Sequence, residues 1–250
     1  MSGHSKWATI KRKKAGADAQ RGKIFTRLAR DIMVAAREGG GDPNANARLK
    51  IAIDKAKAGN MPKENIERAI QRGSGGGDGV DMEEITYEGY GLDGIAFMVD
   101  VLTDNKNRAL AEVKRVFNKA GGSLASAGSV AWQFEKKGYI TIDGPSVDFD
   151  TLFMTAAEAG ADDVVDEDGT IVVYTPREMF SAVEQALLGA GYQVGDAELR
   201  WQPKNESEVS TEKSVQNLKL QENLEELDDV QGVAHNLLIN DAVLTALETA

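Results

Sequence analysis

Apolar residues return at three- and four-residue intervals through the first third of the chain and at alternate positions through much of the rest. Ile24, Phe25, Leu28, Ile32 and Ala35 form one such helical stripe, which Gly39-Gly40-Gly41 ends. A second helix is predicted from Asp42-Pro43, a capping residue followed by Pro, through Leu49, Ile53 and Ala56 to Gly59. Pro62 opens a third, with Ile66, Ala69 and Ile70 inward and Gly73 as its stop. The Gly-rich tract Gly73 to Gly79 reads as a flexible linker. Residues 1–79 are therefore read as a helical domain plus linker, with residues 1–22 as a basic arm, partly helical between Ala8 and Ala19.

Beyond the linker the period shortens. Ile85 to Tyr90 and Ile95 to Leu102 read as strands, Asn105 to Ala120 as an amphipathic helix, and Ser129 to Glu135 as a third strand. The next block gives strand Tyr139 to Ile142, helix Asp148 to Ala159 and strand Asp163 to Asp166. An Asp168-Gly169 turn, strand Thr170 to Tyr174, helix Pro176 to Leu188 and strand Ala197 to Gln202 complete it. That succession is β-α-β-β-α-β, the split βαβ sandwich. A helix over Thr211 to Leu227 and a strand over Val230 to Leu238 supply what the earlier β-β-α-β lacks. The fold class predicted is α+β: an N-terminal helical domain followed by two ferredoxin-like α/β sandwich domains, one inserted in the other. The boundaries expected are 80–136 plus 204–240 for the discontinuous domain, 137–203 for the inserted one, and 241–250 for a frayed tail.

Charge changes this picture most. Residues 1–75 hold 17 Lys and Arg against 7 Asp and Glu, a net of +10. The remaining residues hold 12 against 33, a net of −21. Such a split predicts a polyanion-binding module carried by an acidic body. Lys23, Arg27, Arg30 and Arg37 fall in one arc of the first helix, opposite its apolar stripe. With the arm they nominate Lys6, Trp7, Lys11, Arg12, Lys13, Lys14, Arg21, Lys23, Arg27 and Arg30 as nucleic-acid-binding residues. Six to eight phosphate contacts to duplex DNA would give a log–log salt slope of roughly −5 to −7. Trp7 either stacks on a base or anchors the arm to the helices. The second and third helices also permit a helix-turn-helix reading. The acidic body, repelled by a phosphate backbone, is expected to meet a basic protein partner, a second subunit or the arm itself.

Catalytic and ligand motifs return negatives. The chain has no cysteine and two histidines, His4 and His235, at opposite ends, so thiolate chemistry and zinc sites are not expected. Gly89-Tyr90-Gly91-Leu92-Asp93-Gly94 matches a dinucleotide fingerprint but precedes a strand, so it reads as a hairpin turn. Gly16 to Lys23 fails as a phosphate loop, its glycines one residue too far apart and Ile24 in place of a hydroxyl. Ser210 reads as a helix cap. Asp162, Asp163, Asp166, Glu167 and Asp168 lack calcium-loop spacing and read as a solvated hairpin tip. No enzyme activity, cofactor or metal is expected. No apolar run approaches the roughly 20 residues of a membrane span, and the start is not a secretory signal, so a cytoplasmic location is expected.

Several strings have a familiar form: Gly3-His4-Ser5-Lys6-Trp7, Arg21-Gly22-Lys23-Ile24-Phe25, Gly39-Gly40-Gly41-Asp42-Pro43 and Asn60-Met61-Pro62. Tyr87-Glu88-Gly89-Tyr90-Gly91, Asp104-Asn105, Gly128-Ser129-Val130 and Ala159-Gly160-Ala161-Asp162-Asp163 join them. Across nearly the whole chain the sequence resembles the YebC/PmpR family, departing at Gly16 and Gln20. The resemblance implies three domains, no catalytic residues, and a bacterial transcriptional regulator that binds DNA. The related mitochondrial translational activator of cytochrome oxidase implies a translation role, and bacterial relatives imply one at ribosomes stalled on proline-rich stretches, with ribosomal RNA as the polyanion. DNA-binding transcriptional control is the first expectation and a ribosome-associated factor the second. A small-molecule sensor built on the ferredoxin-like domains is the third.

Overall fold

A computed structural model describes residues 17–75, 82–142, 147–167 and 170–248. The helical front consists of α1 (Ala17–Gly39), α2 (Ala47–Ala58) and α3 (Lys63–Gly73). Leu28, Ile32, Ala35 and Ala36 of α1 close over Leu49, Ile53 and Ala56 of α2 and over Ile66 and Ala69 of α3. α1 and α3 approach so closely at Gly73 that a Cβ there would lie 2.3 Å from the Met33 carbonyl oxygen.

The second helix starts four residues later than its Asp-Pro signal predicts. Asp42 to Asn46 form a turn instead, in which the Asp42 carbonyl accepts from the amides of Ala45 and Asn46. Asn46 then caps α2, its Oδ1 accepting from Leu49 N at 3.0 Å. Its Nδ2 donates to the carbonyls of Ala35 (2.7 Å) and Gly40 (2.8 Å), so one buried amide ends α1 and begins α2.

Two four-stranded antiparallel sheets follow. The first has the order β3-β1-β2-β8, from β1 (Glu83–Tyr90), β2 (Ala96–Thr103), β3 (Ser123–Leu124) and β8 (Val230–His235). Gly91 to Ile95 turns β1 into β2 through a left-handed Asp93 (φ 55°), so the fingerprint-like glycines do sit at a hairpin. Phe97, Val99 and Val101 point to one face of β2. There they pack with Val113, Val116 and Phe117 of α4 (Lys106–Lys119) and with Leu218 and Leu224 of α7 (Thr211–Glu225). The second sheet is ordered β5-β6-β4-β7, from β4 (Phe134–Ile142), β5 (Asp163–Glu167), β6 (Thr170–Pro176) and β7 (Val194–Pro203). It carries α5 (Phe149–Glu158) and α6 (Phe180–Gly189), and Leu152, Ala156, Val183 and Leu187 fill its core. This is the split βαβ order, whereas in the first sheet the two central strands are joined as a hairpin.

Two expectations change. The strand predicted over Ser129 to Glu135 is not formed: residues 129–133 turn, and Phe134 instead begins β4 of the second sheet. The reason is Glu88, whose carboxylate accepts from the amides of Gly128 (2.6 Å), Val130 (2.7 Å) and Ala131 (2.9 Å) and so bends the segment away from a ladder. The predicted tail is α8 (Asp241–Glu248), capped by Asn240, with Val243, Leu244 and Leu247 in the first core. Its apolar spacing gives it a buried face, which a frayed end lacks. The Asp168-Gly169 turn lies outside the described residues.

Candidate nucleic-acid interface

Of the ten residues nominated by the charge pattern, Lys6, Trp7, Lys11, Arg12, Lys13 and Lys14 lie outside the described residues. Arg21, Lys23 and Arg27 fall on α1, their side chains outside what is described. Arg30 is described, and its position departs from an open cationic face. Its guanidinium, 16% exposed, meets the carboxylate of Asp229 at 2.9 Å and also donates to the Asp228 carbonyl. Asp229 sits in the turn before β8, 4% exposed, where it also accepts from Arg108 (2.8 Å) and Thr103 (2.8 Å). Burial alone would raise this carboxyl. The hydrogen bonds from Arg108 and Thr103 and the charge of Arg30 outweigh burial and hold it below its ordinary value.

Two further cations of the front reach carboxylates of the body. Arg48 of α2 bridges Glu38 of its own domain and Glu84 of β1. Lys55 of α2 meets Glu198 of β7 at 2.5 Å, and Arg200 binds the same carboxylate while stacking over the Tyr139 ring, 3.7 Å from its centre. Burial would raise Glu198, but Arg200 and Lys55 pull it down to about 2. Asp31 of α1 borders this cluster and shows the opposite outcome. Burial lifts it from 3.8 to about 6, with Lys55 opposing and the Glu198 charge assisting. Part of the positive charge of the first third is thus spent inward, fastening the helices to the acidic sheets.

Other cations stay outward. Arg68 and Arg72, one turn apart on α3, are exposed and make no ion pair among the described residues.

His235 is buried, with Nε2 against Gln221 Oε1 at 3.1 Å and Nδ1 accepting from Leu237 N at 3.2 Å. Both ring nitrogens are used structurally, and His4 lies outside the described residues. Asp162 is tied to Lys137 at 3.2 Å. Among the described residues no group of three or more His, Asp or Glu is placed to hold a metal ion, and no helix is long and apolar enough to cross a membrane.

Family models for the TACO1/YebC N-terminal domain and for the TACO1/YebC second and third domain match residues 5–76 and 82–237. The chain belongs to the TACO1/YebC family. Similar members include a protein of Trichlorobacter lovleyi, 52% identical over 240 residues that cover 96% of this chain and 97% of its own. One from Dictyoglomus turgidum is 52% identical over 248 residues, covering 99% of this chain and 100% of its own. Each carries the name probable transcriptional regulatory protein. The crystal structure of a conserved hypothetical protein from Aquifex aeolicus superimposes with a TM-score of 0.83 at 44% identity, covering 90% of this chain and 93% of that one. The two family models therefore span the helical front and both sheets.

Sequence reasoning missed Asp229, Glu198 and Glu88. Each is one acid among many in an acidic body, and no spacing marks it out. Only the fold brings Asp229 to α1, 199 positions from Arg30.

Proposed function

We propose that the chain is a nucleic-acid-binding regulator of gene expression, without enzymatic activity, that acts in the cytoplasm. The observation that carries this reading is the charge split, +10 over residues 1–75 against −21 over the rest. The names of the relatives support it. In this reading Lys6, Lys11, Arg12, Lys13, Lys14, Arg21, Lys23 and Arg27 engage phosphates, and Trp7 stacks or anchors the arm. Arg30, grouped with them by spacing, anchors α1 on Asp229 instead. The acidic sheets face away from the polyanion and are free to meet a basic protein partner.

DNA is the first target, with transcriptional control as the role. Ribosomal RNA is the second: the nominated groups are Lys and Arg, which bind phosphate, and phosphate is common to both polymers. Crosslinking in cells followed by sequencing of the bound nucleic acid separates them. Discrete promoter sites support the first and enrichment of ribosomal RNA the second. Recovery of neither, together with binding in vitro that does not respond to salt, refutes the proposal.

A further inference from the structure

The acidic body contains one stretch with no acid. From Val113 to Phe134, 22 residues, there is neither Asp nor Glu, although residues 76–250 hold 33. The same stretch carries exposed Lys114, Arg115 and Lys119 on α4, none in an ion pair among the described residues. At its far end is Trp132, 68% exposed and the most exposed large apolar side chain among the described residues.

Trp132 is fixed in place. Its indole Nε1 donates to the Ser129 carbonyl at 3.0 Å, and Tyr90 holds that carbonyl as well at 3.2 Å. Its own carbonyl accepts from Lys204 Nζ at 2.9 Å, and Lys204 N donates to the next carbonyl, Gln133 O, at 2.8 Å. The loop beneath hangs on Glu88 through the three amides described above, and Ala125 N binds the Glu88 carbonyl at 2.9 Å. The Glu88 carboxylate, the indole N–H, the Tyr90 hydroxyl and the Lys204 ammonium thus hold an aromatic face toward solvent. Core packing does not require this arrangement: neighbouring Val130 and Phe134 are buried while Trp132 is not.

We infer that Trp132 and Lys204 form a stacking site for an unpaired base of single-stranded nucleic acid, with Lys204 placed for the adjoining phosphate. This rests on the nucleic-acid reading above and adds a second point of contact, on the body. Three features select this ligand. The indole N–H is already satisfied, so the ring is offered by its face, the geometry a base needs. Lys204 makes no ion pair among the described residues, and hydrogen bonding to a carbonyl leaves its charge available. The segment that carries Trp132 adds no carboxylate of its own from Val113 to Phe134, and the buried Glu88 beneath it is engaged by three amides. Because the ring is held before binding, little rotamer freedom is lost when a base arrives.

The test uses the full chain, fluorescein-labelled homopolymeric RNA and DNA single strands, and a duplex of equal length. Trp132→Ala is expected to weaken single-strand binding about five- to 150-fold, with little change on duplex. Trp132→Phe should recover most of that loss, since it keeps an aromatic face. Lys204→Gln should reduce the log–log salt slope on single strands by about 0.7, whereas Trp132→Ala leaves the slope unchanged. Single-strand affinity unaltered by Trp132→Ala, in a wild-type protein that does bind, overturns this inference and leaves the proposed function standing. An equal loss on duplex and single strand also overturns it. A wild-type protein that binds none of the three probes overturns both.

Discussion

The helical front and the acidic body both display long charged side chains, but they use them differently. In the front, Arg30, Arg48 and Lys55 turn inward to Asp229, Glu84 and Glu198, three carboxylates on separate strands or turns of the body. On α3 of the same front, Lys63 pairs only within its own helix, with Glu67 at 3.6 Å, and Arg68 and Arg72 face solvent. Cations of one sequence segment therefore divide into fasteners and free charges. Net charge alone does not separate the two groups; what the fasteners share is a partner on the body, buried at Asp229 but half-exposed at Glu84. A guanidinium facing a buried carboxylate loses more when separated than an ammonium on a wet helix face.

Asp229→Ala should break this division most forcefully. It removes the carboxylate shared by Arg30, Arg108 and Thr103, and the expected loss is about 3 kcal/mol, read from the urea midpoint. A loss below about 0.5 kcal/mol would mean that the front is not held through this residue.

Arg30→Gln and Lys13→Gln sharpen the contrast between fastening and binding. Arg30→Gln should lower the unfolding midpoint while leaving the salt slope of duplex DNA binding unchanged. Lys13→Gln should leave the midpoint unchanged and reduce the slope by about 0.9 if it holds one phosphate. The reverse pattern would return Arg30 to the binding surface.

The Asp31–Glu198 pair supplies a pH test. Asp31, raised to about 6, keeps its proton in the folded state where the unfolded chain has lost it, so its contribution falls as pH rises from 3.8 to about 6. Asp31→Asn should abolish that decline and stabilise the protein at neutral pH by on the order of 1 kcal/mol. Glu198 has the opposite sign. Held at about 2, it contributes stability above 4.5 that is lost as pH falls toward about 2. Urea midpoints of wild type and Asp31→Asn across this range distinguish the two, and parallel curves would exclude Asp31 as the source. The smallest effect belongs to Lys63→Ala, expected within about 0.5 kcal/mol of wild type because its pair is exposed and lies within one helix.

Much of the fold was legible because periodicity is local. The stripe Leu28, Ile32, Ala35 reports one buried face, and the nearly unbroken apolar run Ala96 to Thr103 reports a strand buried on both, without reference to the rest of the chain. The failures arose where a distant side chain overrode a local pattern. Ser129 to Glu135 alternates well enough for a strand, yet Glu88, some 40 residues away, takes its amides. Asp42-Pro43 is a sound helix start, yet Asn46 offers a better cap because it also finishes α1. The candidate interface was legible as charge, since clustered Lys and Arg need no fold to be counted. Which of those cations are already occupied was not, because Asp229 and Glu198 meet them only across a domain boundary.

The short β3 has a consequence for how the molecule behaves at high concentration. It covers β1 only at Gly89 and Tyr90, so among the described residues no strand pairs with the outer side of β1 from Glu83 to Glu88. That border would welcome a strand from another copy, and the exposed charged side chains of Glu83 and of Glu84, the latter paired with Arg48, discourage it. Replacing both acids with Gln removes this guard, leaving the molecule open to edge-to-edge stacking even while its cores stay intact.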